Sequence, residues 1–191
     1  GLFYGNEMNQ LVLMPVPIEP ATNPNVLPWS RLQNTTYSVE GTPAGDNQAP
    51  LIAGQFIAPG KADANADFIV NLSPLHAYGD LDGDELLDVV VLLKVEPGDG
   101  SAAYYLTPVL NIGNGLPLPL PGELLGADVQ LYDLAINDKQ VSVAFGDAAA
   151  AQPPVRRTYT LENNVLARTA EEPLATAPAA ADVAAPARDV T

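Results

Sequence analysis

Asp80, Asp82, Asp84 and Asp88 stand at the first, third, fifth and ninth positions of one short loop-like run that begins after Gly79. Carboxylates on alternate residues of a tightly wound loop can be aimed at a single point. Such a set of hard oxygen donors suits Ca²⁺, which takes about six to eight oxygens, and the backbone carbonyl of Leu86, at the seventh position, adds another. Asp80, Asp82, Asp84, Leu86 and Asp88 are therefore the expected calcium ligands. Two positions weaken the site. The sixth, where glycine would supply a left-handed turn, is Glu85, and a side chain in that conformation costs roughly 1–2 kcal/mol. The twelfth is Val91, so the bidentate glutamate of an EF-hand is missing. The expected affinity is that of extracellular modules, roughly 10⁻⁴–10⁻³ M. The plain alternative is a solvated Asp/Gly turn between two strands.

The elements around the loop must be strands. Val89-Val90-Val91-Leu92-Leu93 is an apolar, β-branched run too short for an EF-hand helix and suited to a buried strand. Further strands are expected at Thr35–Glu40, Leu51–Ile57, Phe68–Leu72, Leu87–Val95, Ala102–Leu110, Val129–Ile136, Val141–Phe145, Val155–Leu161 and Val165–Arg168. Asn137-Asp138-Lys139-Gln140 reads as a hairpin turn, and Asn163-Asn164 as another. Pro108 near a strand end suggests an edge or a bulge, while Leu116–Pro121 alternates Leu and Pro and reads as an extended connector. No amphipathic helix stands out. The fold class is mainly β: a single β-sandwich or barrel-like domain over residues 34–168, with extended N- and C-terminal arms at 1–33 and 169–191.

Composition sets both arms apart from the body. Leu11-Val12-Leu13-Met14 is followed by Pro15, Pro17, Pro20, Pro24 and Pro28. Proline fixes φ and lacks the backbone donor, so this stretch favours extended or polyproline-like chain. Trp29, the sole tryptophan, is expected to pin the arm to the body. From Thr169 onward Ala, Pro, Glu, Asp, Thr and Val dominate, which leaves little to bury against the entropy of ordering.

The charge balance excludes several functions. With 23 acidic and 8 basic residues the formal charge of the 191-residue chain is −15. Such a surface repels nucleic acid, because binding a polyanion needs Lys and Arg to displace its counterions. Copies that pack together must have that repulsion screened or bridged, and a divalent cation can bridge it. There is no cysteine, so disulfides and thiolate metal sites are absent. No run of about 18 apolar residues predicts a membrane span. A weak calcium site fills only where calcium is plentiful, so a secreted, extracellular or periplasmic location is expected. The start at Gly1 rather than Met is expected of a processed product or of a trimmed chain.

Tyr78–Leu93 resembles the calcium-loop repeats of FG-GAP and VCBS type, in which D-x-D-G-D-G-x-x-D precedes a hydrophobic strand. Glu85 departs from that pattern at its glycine, and a single copy does not imply a propeller. A broader likeness spans Leu32–Arg168. Leu32-Gln-Asn-Thr-Thr-Tyr37, Ala77-Tyr-Gly-Asp-Leu-Asp-Gly-Asp84, Ala103-Tyr-Tyr-Leu106 and Arg157-Thr-Tyr-Thr-Leu161 resemble a group of uncharacterised secreted bacterial β-rich proteins and lipoproteins. That resemblance implies export and a β-rich fold, and no known activity.

Asp63, Asn65 and Asp67 repeat the alternate spacing just before Phe68 and form a poorer candidate for a second cation site, or else a solvated loop. His76, the one histidine, has no nucleophile motif beside it and reads as structural. Tyr104 and Tyr105 place one aromatic on each face of a strand, one for the core and one for an interface or a sugar. The expected function is a non-enzymatic structural subunit that assembles as a homo-oligomer or polymer through its arms. The alternatives are an exported calcium-dependent carbohydrate- or peptide-binding module and, further off, a hydrolase using two carboxylates.

Overall fold

The computed structural model describes residues 26–61, 64–149 and 152–175. The arm segments 1–25 and 176–191, and with them Leu11–Met14, lie outside the described residues, as does Asp63. The described chain is mainly β. One helical turn, α1 (Trp29–Leu32), precedes twelve strands: β1 (Thr36–Ser38), β2 (Gln48–Pro50), β3 (Gln55–Ala58), β4 (Phe68–Gly79), β5 (Asp88–Glu96), β6 (Ala103–Asn111), β7 (Pro117–Pro119), β8 (Glu123–Gly126), β9 (Val129–Asn137), β10 (Gln140–Asp147), β11 (Val155–Glu162) and β12 (Val165–Pro173).

Three layers result. The central antiparallel sheet has the order β3-β4-β5-β6-β7, with β8 also on β6; β9-β10-β11-β12 forms a four-stranded meander; β1 pairs with β2 alone. β5 lies in the middle, and its alternation decides the architecture. Val90 and Leu92 enter a core shared with Leu131, Leu134, Val141, Val143, Phe145 and Tyr159 of the meander. Val89, Val91, Leu93 and Val95 enter a second core with Leu27, Leu32, Tyr37, Ala49 and Leu51. The strand is apolar on both faces because both faces are covered.

Most strand expectations are met to within a few residues, and four differ in instructive ways. The expected Leu51–Ile57 strand is split: Ile52 and Gln55 bridge each other, and Ala53 (φ 52°) and Gly54 (φ 86°) turn the chain between β2 and β3. β4 runs on from Leu72 to Gly79 through an irregularity between Leu72 and His76 that accommodates Pro74. The Leu-Pro connector pairs with β6 as β7. β12 continues past Arg168 to Pro173, because Ala170–Pro173 pair with Val155–Thr158 and Glu171 meets Arg157 at 3.0 Å. Residues 26–33, expected in the arm, belong to the body, since Leu27 and Leu32 are fully buried. Trp29 packs on this second core and stacks on His76 at 4.4 Å.

The two hairpin turns are as read from the sequence. Asn137 pairs with Gln140 across Asp138 (φ 50°) and Lys139 (φ 66°), and Glu162 with Val165 across Asn163 (φ 52°) and Asn164 (φ 64°). Two successive left-handed residues match the twist of the flanking strands.

The sheet edges are guarded against further pairing. In β7, Leu116 O accepts from Ile112 N and Leu120 N donates to Pro108 O. The intervening Pro117 and Pro119 therefore turn their donorless nitrogens outward. Pro108 itself has its missing donor opposite the break between β7 and β8. β9 is bulged between Leu131 and Asp133, β12 between Tyr159 and Thr158 of its partner, and β3 is four residues long and ends before Pro59. Bulges, prolines, charges and short strands all hinder edge-to-edge addition.

Candidate metal centre

Gly79 and Asp88 are cross-strand partners, so the acidic loop leaves β4 and returns into β5 at adjacent positions. Its sequence folds onto itself through carboxylate-to-amide bonds. Asp80 Oδ1 accepts from Gly83 N at 2.6 Å and its Oδ2 from Glu85 N at 3.0 Å; Asp82 Oδ1 accepts from Asp84 N at 3.1 Å, and Asp84 Oδ1 from Leu86 N at 2.9 Å. Short Asp side chains favour such local turns. Gly83 (φ 90°) and Glu85 (φ 72°) both take the left-handed conformation. The sixth position thus has the backbone that glycine would adopt freely, and Glu85 carries the strain.

Asp80, Asp82 and Asp88 each bring a carboxylate oxygen to within 4.8 Å of the others. Asp84 stands beside Asp82 at the exposed rim, and Leu86 is half-buried behind it. Of the poorer second site, Asn65 N donates to Gly98 O at 3.0 Å and Asp67 is exposed.

Asp88 anchors the site. It is fully buried, and both its oxygens are held: Oδ2 accepts from Leu81 N at 2.7 Å and Oδ1 from Asn111 N at 2.8 Å. Leu81 reaches this position because its side chain is buried in the core between the sheets. Asn111 ends β6 and is fixed in turn by Gly113 N, which donates to its Oδ1 at 2.9 Å. One carboxylate therefore ties the acidic loop, the start of β5 and the end of β6 together. Burial pushes the Asp88 carboxyl up to about 6; the two amides oppose this, and the charges of Asp82 and Asp84 add to it. Asp82 is raised too, by desolvation first, with its Asp84 amide bond opposing and Asp84 and Asp80 reinforcing.

No family model, curated protein or solved structure matches this chain. The donor set must therefore argue for itself. It is all carboxylate, with no imidazole or thiolate among the three, which suits Ca²⁺ or Mg²⁺ rather than zinc or copper. Each Asp88 oxygen retains a second lone pair after accepting its amide proton, so the hydrogen bonds aim the carboxylate without exhausting it.

Three residues at the site were not singled out from sequence as contributors. Leu81 and Asn111 act through backbone amides, which no residue type advertises. Lys139, in the β9–β10 turn, brings its Nζ to 2.6 Å from where a Cβ on Gly83 would stand. It forms no ion pair among the described residues. Beside it opens a cleft of about 740 Å³ lined by Asp82, Lys139, Thr160, Glu162, Asn163 and Asn164. His76 sits elsewhere, between Trp29 and the edge of Tyr78, with Nδ1 2.6 Å from Pro74 O. Tyr104 and Tyr105 pack against the two opposite cores. No helix among the described residues is long and apolar enough to cross a membrane.

Proposed function

We propose that the chain is a secreted, non-enzymatic structural subunit that self-assembles into a filament or tube, with calcium stabilising the fold or the subunit contacts. The supporting observation is the convergence of Asp80, Asp82 and Asp88 at the start of the central strand. Two unit charges about 4–5 Å apart repel by roughly 3–4 kcal/mol at an effective dielectric of about 20. One of these three is fully buried, where water cannot relieve it. A divalent cation removes the repulsion, completes the oxygen shell and locks the loop to β5 and β6. The same ion lowers the net charge that opposes packing of copies with a formal −15 each. A weak site of this class points to a calcium-rich compartment outside the cytosol.

Light scattering and negative-stain imaging in millimolar calcium, and again after chelation, test this reading. Ordered particles that dissociate on chelation support it; a monomer in both conditions overturns it. The matching deletion should stop at Asn25, because Leu27 and Leu32 are core residues. Removal of residues 1–25 should leave a folded monomer.

The cleft beside the loop favours a second reading, an exported calcium-dependent carbohydrate- or peptide-binding module. Its lining mixes the apolar Leu81 and Leu161 with the polar groups of Thr160, Glu162, Asn163 and Asn164, and one wall is the candidate ligand Asp82. Calcium-dependent hits on a glycan or peptide array, lost in Asn163→Ala, would favour that reading over assembly.

A further inference from the structure

The β6–β7 turn carries an apolar patch at the metal end of the sandwich. Ile112, Leu116 and Leu118 are 57%, 43% and 42% exposed. They share one face: Ile112 and Leu116 face each other through the Ile112 N to Leu116 O bond, and Leu118 pairs with Leu110. Leu110 and Leu120 continue this face inward into the core between the sheets. The turn is joined to the metal centre through Asn111 and Asp88.

Two further observations say what could cover it. Gly100–Gly122, which contains the patch, is the longest run of the chain without a charged residue, and Met8–Ile18 is another uncharged run, centred on Leu11–Met14. In a protein this acidic, these are segments that can meet without charge repulsion between them. The described chain also begins at this turn: a Cβ on Gly115 would lie 3.5 Å from Pro28 Cδ and 3.7 Å from Val26 O.

The spacer decides between the chain's own patch and a neighbour's. Pro15–Asn25 contains Pro15, Pro17, Pro20 and Pro24. Four prolines in eleven residues favour extended backbone, and eleven extended residues would span about 34 Å at about 3.1 Å each. Extended to that length, the spacer would place the apolar segment well beyond the patch beside its own anchor and within reach of a neighbour's. We infer that the Ile112–Leu116–Leu118 patch receives Leu11–Met14 of a second copy. This rests on the self-assembly reading and names its contact. The guarded edges make the contact one of side chains on an apolar surface rather than an added strand.

The test uses the full-length protein in millimolar calcium, read by sedimentation velocity. Ile112→Ser with Leu118→Ser, both at exposed positions, should raise the concentration for half-assembly at least about tenfold, and so should Leu11→Ser with Leu13→Ser. A mixture of the two double variants should form a dimer and stop there, because only one intact segment and one intact patch can meet. Wild-type assembly with no effect of the patch variant overturns this inference and leaves the self-assembly reading standing. Two variants that lose assembly but form no mixed dimer overturn the exchange between copies. A monomeric wild type overturns the self-assembly reading and this contact with it.

Discussion

The two ends of the central strand are both acidic and are satisfied in opposite ways. At the far end of β5, Glu96 meets Lys94 at 2.9 Å, and Asp99 accepts from Ser101 N at 2.9 Å and from the Ser101 hydroxyl at 2.5 Å. That turn is complete with its own side chains. At the near end Asp80, Asp82 and Asp88 converge on one another, and Lys139, whose Nζ lies over Gly83 of the loop, forms no ion pair among the described residues. Similar residue types in turns at two ends of one strand thus give one closed structure and one with an uncompensated charge. The second is where an external cation has something to do.

The largest expected effect separates the two ends by mutation. In millimolar calcium, Asp88→Ala orphans the buried amides of Leu81 and Asn111, at about 1–3 kcal/mol each, and removes the metal's anchor. A loss of roughly 3–6 kcal/mol by urea denaturation is expected. In chelator the loss should shrink, because a buried, unpaired charge is removed as well. Asp99→Ala at the exposed far turn should stay within about 0.5 kcal/mol in both conditions. Equal losses at the two ends would erase the distinction.

The pH dependence should also run in opposite directions. The Asp88 pKa is raised by burial to about 6 from an ordinary 3.8. The metal-free fold therefore favours the protonated acid. This group's contribution is most favourable below the ordinary value and declines as pH rises through about 6, by at most about 1.4 kcal/mol per unit. Asp99 is lowered by its Ser101 hydrogen bonds, so its contribution is present at neutral pH and lost on acidification. Since protons compete with the metal, calcium affinity should fall about tenfold per pH unit below the Asp88 pKa. Calorimetric titrations at pH 7 and pH 5 check this; equal affinities would remove Asp88 from the site.

A smaller effect is expected at Glu85. Its φ of 72° is a conformation glycine adopts without strain, so Glu85→Gly should stabilise the loop by up to about 1 kcal/mol and tighten calcium several-fold. Weaker binding would mean that the Glu85 charge outweighs the strain. Smallest is Lys139→Met. Loss of a surface cation over the loop should lower metal-free stability by at most about 1 kcal/mol and raise calcium affinity about two- to threefold.

How much of this was legible in the sequence depends on whether a feature is local. The alternate aspartates, the strained Glu85 and both two-residue turns involve residues close in the chain, and their types state their geometry. The unbroken apolar run Val89–Leu93 announced a buried strand, and the structure shows both of its faces covered. Asn111, by contrast, lies 23 residues from Asp88 and acts through its backbone, so only strand pairing brings it to the site. The extension of β12 to Pro173 was hidden because Thr169–Pro173 are exposed and show no apolar alternation. The break at Ala53-Gly54 was missed because the apolar residues on either side, Leu51 and Phe56, read as one strand.

The most direct test is thermal or urea unfolding of the whole protein in chelator and in about 10 mM calcium, with magnesium as the comparison. For a site of roughly 10⁻⁴–10⁻³ M, mass action predicts stabilisation of about 1.4–2.7 kcal/mol by calcium. The gain should be smaller with magnesium and absent in Asp88→Ala. Superimposable unfolding curves with and without calcium would contradict the account, leaving the acidic loop as a solvated turn.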